Sequence, residues 1–202
     1  VGSEMCIRDR PKTIYRRFIL RTSKIRIIGG ALKGNHISFP SSSKLRPTSN
    51  KLREILFNWL NFEIEGLKCA DCFSGSGALG IEAISRGAKS VTFIEKTPKF
   101  AASIESNLGR LNISERCKIE IKNAFEWLKS ASLEELDLIF FDPPFFDERI
   151  QGLLASLESL KIKKGTLIYF EKSTFDKIDI PDSLKLLKSK SVGDAEGLLL
   201  EK

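Results

Sequence analysis

The residues in this chain with the clearest chemistry are Asp142-Pro143-Pro144-Phe145, which follow directly on the apolar run Leu136–Phe141. A carboxylate, a peptide carbonyl, two rigid rings and an aromatic face form a corner suited to a flat ligand bearing an amino group. Each proline fixes its own φ, so the Asp142 and Pro143 acceptors are set in place before a ligand arrives. An exocyclic NH2 of adenine or guanine is a poor nucleophile because its lone pair is delocalised into the ring. Hydrogen bonds from that NH2 to the two acceptors localise the lone pair. Phe145 then offers a stacking face worth about 1–3 kcal/mol, and Phe146 either assists or belongs to the core. Taken alone, the same tetrapeptide also reads as a rigid turn with a capping aspartate.

A second constellation is Asp71-Cys72-Phe73-Ser74-Gly75-Ser76-Gly77-Ala78-Leu79-Gly80, placed after one apolar run and before a helical pattern. Gly75 and Gly77 let the backbone turn tightly, and the following helix start adds favourable amides. The spacing also satisfies the dinucleotide fingerprint, and a glycine turn can merely pack a helix on a strand. Two carboxylates sharpen the reading. Glu95, followed by Lys96, ends the next strand, where an acid accepts both hydroxyls of a ribose in either nucleotide class. Asp71 precedes the glycines, where its charge suits an amino group or a sulfonium better than a pyrophosphate. That balance favours S-adenosylmethionine over a nicotinamide dinucleotide, with Phe73 and Ser76 in the same loop. Asn123-Ala124 is placed to meet an adenine, although an asparagine there is equally an ordinary helix cap.

These residues require strand–helix alternation to bring them together. Strand patterns run over Lys68–Phe73, Ser90–Glu95, Lys118–Lys122, Leu136–Phe141 and Gly165–Phe170. Helical patterns fall between them at Ala78–Arg86, Pro98–Leu111, Ala124–Ser130 and about Glu148–Leu160. Such alternation predicts a parallel sheet with right-handed crossovers. Leu184–Lys190 and Gly197–Glu201 predict an antiparallel finish around Val192-Gly193-Asp194. Upstream, Ile25–Ile28 and Asn35–Phe39 flank a glycine-rich turn and predict a hairpin. A helix capped by Thr48 or Ser49 follows, with Leu52, Ile55, Leu56, Trp59 and Leu60 as its apolar stripe and Arg53 outside it.

Net charge is +7, unevenly spread. Residues 1–53 carry 13 Lys and Arg against Glu4 and Asp9, whereas residues 54–202 carry 20 basic and 24 acidic side chains. A basic arm on a mildly acidic body predicts a polyanionic partner gripped through its phosphates, the plainer reading being a solvated tail. Cys6, Cys69, Cys72 and Cys117 with the single His36 do not make a zinc set, because the lone Cys69-x-x-Cys72 has no second pair. We expect no metal, reduced thiols, no membrane span, a monomer and a cytoplasmic setting. Val1 to about Arg10 read as a fragment edge or sequence scar.

Three stretches together carry a family resemblance. They are Leu45-Arg46-Pro47-Thr48 with Arg53-Glu54-Ile55-Leu56-Phe57-Asn58-Trp59-Leu60, the glycine loop Asp71–Gly80, and Asp142-Pro143-Pro144-Phe145. In this order they resemble the RsmD family of bacterial 16S ribosomal RNA guanine-N2 methyltransferases, over roughly Lys24 to Lys202. The resemblance implies a Rossmann-like class I methyltransferase sheet (α/β, mostly parallel, antiparallel at its C-terminal end) over 48–202. A β-hairpin extension over 24–47 and a basic segment over 1–23 precede it. It implies Asp71, Gly75 and Gly77 around the methionine part of the cofactor, Glu95 at the ribose, Asn123-Ala124 at the adenine and Asp142 to Phe145 at the target guanine. Arg46, Thr48 and Arg53 fall on the family's RPT…RE motif, where they orient the cofactor loop or the RNA backbone. Adenine N6 in DNA, another RNA base, and a non-catalytic nucleotide-binding module remain the alternatives. The last strand, Leu198-Leu199-Leu200, departs from the family in lacking an aromatic.

Overall fold

The computed structural model describes residues 22–41, 50–144, 148–150 and 152–202. The segment 1–21, Arg46, Thr48, Phe145 and Phe146 lie outside them. Two antiparallel strands, β1 (Thr22–Arg26) and β2 (His36–Pro40), form the expected hairpin. Then come α1 (Asn50–Leu60), β3 (Lys68–Asp71), α2 (Ala78–Ser85), β4 (Ser90–Ile94), α3 (Pro98–Arg110) and β5 (Cys117–Glu120). α4 (Ala124–Ser130), β6 (Leu138–Phe141), α5 (Leu153–Ser156), β7 (Leu167–Ser173), β8 (Lys185–Val192) and β9 (Ala195–Glu201) complete the chain.

Seven strands make one sheet in the order β5-β4-β3-β6-β7-β9-β8. β3 to β7 are mutually parallel, and β9 runs antiparallel to both β7 and β8. The order reverses between β3 and β6, and an open α/β sheet binds its ligands beyond the carboxyl ends of strands at such a point. Apolar side chains alternate between the two faces. Cys69, Phe93, Leu138, Phe140 and Tyr169 pack with α2, α3 and the hairpin. Ala70, Ile139, Phe141, Ile168 and Phe170 pack with α4 and α5 on the other side. Among the described residues no helix is long and apolar enough to cross a membrane.

The helix expected over Glu148–Leu160 is broken. Among the described residues only Leu153–Ser156 is α-helical, flanked by 3-10 turns at Glu148–Ile150 and Leu157–Ser159. Ser156 and Ser159 donate their hydroxyls to the Leu153 and Ser156 carbonyls at 2.6 and 2.8 Å, a local bond that competes with helix continuation.

Arg53 requires the larger correction. The expected stripe on α1 excluded it, yet the buried face is Leu52, Arg53, Leu56, Phe57 and Leu60, with Arg53 at 0% exposure. Its Nη2 donates to the Arg26 carbonyl at 2.7 Å and to Asn50 Oδ1 at 3.1 Å. Burial pushes its pKa down, and the nearby Glu82 charge pulls it back up. Glu82 in turn accepts from Ile28 and Gly29 N–H at 2.9 and 2.8 Å and pairs with Arg86 Nε at 2.9 Å. Arg53 thus clamps the hairpin onto α1 and α2, and its guanidinium has no surface on which to meet a phosphate.

Two stability predictions follow from this packing. Arg53→Ala lowers stability by roughly 2–5 kcal/mol, as for other large buried side chains, read as a fall in the thermal midpoint. Unchanged stability with weakened RNA binding would restore the surface role. A Cβ at Gly80 stands 2.9 Å from Val91 Cγ1 and closer still to the Phe93 ring. Gly80→Ala therefore costs about 1–3 kcal/mol through overpacking, and a midpoint equal to the wild type contradicts that contact.

Candidate active site

Four parallel strand ends place four carboxylates on one rim: Asp71 on β3, Glu95 after β4, Asp142 after β6 and Glu171 on β7. Asp71 is level with Phe140, which is level with Tyr169. Asp142 and Glu171 stand two residues further out, and strand alternation turns them to that same face. The glycine loop and the proline corner leave the sheet side by side. One residue beyond the β3–β6 ladder, Cys72 N–H still donates to the Phe140 carbonyl at 3.0 Å.

The loop is tied to β4 before any ligand arrives. Ser74 N–H donates to the Ile94 carbonyl at 3.1 Å, and Ser74 Oγ to the Asp71 carbonyl at 2.7 Å. Gly75 and Gly77 hold φ of 51° and 77°, the left-handed region that glycine enters without a Cβ penalty. Glu95 acts as a strut. Its Oε2 accepts from Gly75 N–H at 2.9 Å and its Oε1 from Thr97 N–H at 2.7 Å. Each carboxylate oxygen has a second lone pair, so the strut retains acceptor capacity. Ser76 is buried and Lys96 exposed beside Glu95.

Asp71 is 1% exposed, and its Oδ2 accepts from Gly80 N–H at 3.1 Å near the start of α2. Its pKa is pushed up to about 7, first by burial; Gly80 pulls it down, and the charges of Asp142 and Glu95 push it up again. The rim is therefore short of positive charge at its centre. Asn123 caps α4, its Oδ1 accepting from Phe125 N–H at 2.9 Å, so the capping alternative holds. Ala124 is buried beside it. Asp142 is half-buried, Pro143 buried and Pro144 exposed.

An aromatic row on the opposite face holds loop and corner at a fixed spacing. Phe73 packs edge-on against Phe125 at 5.7 Å and Phe141 at 6.5 Å between ring centroids. The Arg149 guanidinium lies 4.7 Å over the Phe125 ring, a cation–π contact. Arg149 and Glu171 escaped the sequence reading. Tyr169 Oη donates to Glu171 Oε2 at 2.9 Å, and burial, then the charges of Glu171 and Asp142, raise the tyrosine's pKa. Glu171 had a usable signal, because it closes the apolar run Leu167–Phe170 just as Glu95 closes Val91–Ile94. No group of three or more potential metal ligands occurs among the described residues.

With this geometry in hand, relatives identify the lineage. A family model described as conserved hypothetical protein 95 matches residues 25–201. The ribosomal RNA small subunit methyltransferase D of Buchnera aphidicola (subsp. Acyrthosiphon pisum) is 42% identical over 86% of this chain and 91% of its own. The chain belongs to the RsmD methyltransferase family. An Escherichia coli structure described as the putative methyltransferase yhhF is 32% identical, with a TM-score of 0.79 over 89% of this chain and 98% of its own. The Thermus thermophilus 16S rRNA N2 G1207 methyltransferase RsmC, solved with AdoMet and guanosine, shares the fold at 21% identity. Its TM-score is 0.68, over 90% of this chain and 50% of its own. The sheet order and antiparallel finish of this RsmD-family protein are thus those of class I methyltransferases.

The raised Asp71 pKa has a stability consequence. A carboxyl at about 7 in the folded state and 3.8 ordinarily holds its proton more tightly when folded. Its effect on stability is therefore most favourable below about pH 4, falls as pH rises through 4 to 7, and levels off above. Asp71→Asn keeps an acceptor for Gly80 N–H, so chemical denaturation across that window should show a flatter slope than wild type. Parallel slopes would remove Asp71 as the source.

Proposed function

We propose that this protein transfers a methyl group from S-adenosylmethionine to the exocyclic N2 of a guanine in 16S ribosomal RNA of the small subunit. The observation that carries the reading is the juxtaposition of the Asp142-Pro143-Pro144 corner with the Asp71–Gly80 loop on one rim. The name borne by the family's relatives supports the RNA class. Residues 48–202 make the methyltransferase domain and 24–47 its hairpin extension. The setting is the cytoplasm and the protein acts as a monomer.

The residues fit the cofactor. Asp71 is an acid whose pKa is raised first by burial and then by the charges of Asp142 and Glu95, and a nearby sulfonium or ammonium favours its charged form. Glu95 has lone pairs left for the ribose hydroxyls, Asn123 and Ala124 border the adenine, and Phe73, Gly75, Ser76, Gly77 and Lys96 enclose the remainder. When bound, S-adenosylmethionine supplies a methyl carbon on an already activated leaving group, so no metal is called for. Asp142 and the Pro143 carbonyl accept hydrogen bonds from the target NH2 and aim its lone pair; Phe145 stacks on the base. Asp142 or solvent takes the proton released as the N–C bond forms. Alignment of the two reactants is the main catalytic contribution, with a general ceiling of roughly 7–11 kcal/mol. With Arg53 buried, Arg46 and Thr48 remain as the motif residues proposed to meet the RNA.

Labelled cofactor offered with unmethylated small subunits, naked ribosomal RNA and duplex DNA tests the reading. Label on ribosomal RNA, mapped to a guanine N2 by mass spectrometry, is expected; label on DNA alone contradicts it. Asp142→Ala should keep cofactor affinity within twofold while transfer drops about 10²–10³-fold, the scale seen when one preorganised polar group is removed. Unchanged turnover would take Asp142 out of the mechanism.

A further inference from the structure

Four large apolar side chains among the described residues are strongly exposed: Ile121, Phe175, Leu186 and Leu187. Phe175, at 78%, is the most exposed and the only aromatic of the four. It does not dangle. Phe175 N–H donates to Ser173 Oγ at 3.2 Å, Ser173 N–H to Asp176 Oδ2 at 3.2 Å, and Asp176 N–H to the Ser173 carbonyl at 3.1 Å. Lys172 Nζ donates to the Asp176 carbonyl at 2.9 Å and pairs with Glu196 at 2.8 Å. Thr174 N–H donates to the Asp194 carbonyl at 2.9 Å, pinning the turn to the β8–β9 connection. A turn braced at every residue that nonetheless holds a phenyl ring in water forgoes the burial that stabilises such a side chain elsewhere.

Its position gives the ring a use. β7 neighbours β6 with Phe170 level with Phe141, so Asp142 and Glu171 are level as well. Ser173 therefore lies roughly 7 Å further out along the strand and about 5 Å to the side of Asp142, and Phe175 follows immediately. The turn that carries the ring thus leaves β7 beyond its carboxyl end, on the same edge of the sheet as the Asp142-Pro143-Pro144 corner. Lys177 on the same segment and Lys190 near the far end of β8 are both exposed, which supplies cations for a backbone passing this edge.

We propose that Phe175 is a stacking platform for an unpaired nucleobase adjacent to the methylated guanine. This rests on the RNA-methyltransferase reading and adds a binding subsite to it. A base drawn into the corner must leave its stack, which strands its neighbour without a partner. An exposed aromatic on a braced turn replaces the lost stacking with little demand on base identity, since every base has a π-face. Phe175 belongs to neither the Asp142–Phe145 corner nor the Asp71–Gly80 loop, so it acts on RNA affinity rather than on the chemical step.

The test compares Phe175→Ala, Phe175→Leu and Phe175→Trp in methyl transfer to unmethylated small subunits, with cofactor affinity, thermal midpoint and sedimentation measured alongside. Phe175→Ala should raise KM for the RNA substrate roughly five- to tenfold, leaving kcat, cofactor affinity and midpoint unchanged. Phe175→Trp should restore KM and Phe175→Leu should not. A KM within twofold of wild type for Phe175→Ala overturns the proposal, as does Phe175→Leu matching Phe175→Trp, which would mark a merely greasy contact. Altered sedimentation of the free protein with unchanged KM overturns it in favour of self-association. Failure of the wild type to methylate any RNA removes this proposal together with the function above; normal wild-type transfer with an indifferent Phe175→Ala removes this one alone.

Discussion

The pairing of β3 with β6 at the point where strand order reverses is the constraint on which the site depends. Cys69, Ala70 and Asp71 are level with Leu138, Ile139 and Phe140, and the ladder continues one bond further, from Cys72 N–H to the Phe140 carbonyl. Because the two strands are parallel and in this register, the chain must leave both at the same height. The left-handed glycines carry one exit back into α2; the prolines turn the other across the rim. Neither segment could hold its partner by itself. The sheet, buried on both faces, fixes their separation, and the Phe73, Phe125 and Phe141 rings resist any sliding of one exit past the other.

The same geometry concentrates negative charge. Asp71, Glu95, Asp142 and Glu171 converge from four strands, and their mutual repulsion is offset by donors from this chain: Gly80, Gly75 and Thr97 N–H, and the Tyr169 hydroxyl. The pKa of Asp71 is pushed up to about 7, first by its burial and then by the charges of Asp142 and Glu95. Such a rim is poorly suited to phosphate and well suited to a cation beside a neutral base. Positive charge is concentrated in the sequence before residue 54, with 13 Lys and Arg against two acidic residues, although Arg53 among them is buried.

Much of this was legible in the linear sequence because it depends on local residue types. A glycine bend after a strand, an acid closing an apolar run, Thr97 before Pro98 and the hairpin around Gly29–Gly34 all announce themselves within a few residues. What the sequence hid depends on neighbours distant along the chain. Arg53 looks like a surface charge until β1 brings the Arg26 carbonyl and α2 brings Glu82 against it; only the spacing 53, 56, 57, 60 hinted at a buried face. The segment expected as one helix over Glu148–Leu160 is α-helical among the described residues only over Leu153–Ser156, a break that apolar periodicity does not show. Arg149 and Phe125 meet only through tertiary packing. Asn123 proved to be a cap, as an asparagine before a helix so often is, without losing its place at the rim.

The most direct measurement of the central claim is a crystal structure of the complex with guanosine and the unreactive cofactor analogue sinefungin. The account predicts the analogue lying along the Asp71–Gly80 loop, the guanine N2 held by Asp142, and about 3–3.5 Å between that nitrogen and the position of the transferable group. An analogue seated elsewhere, or a space between loop and corner filled by protein side chains, would contradict it.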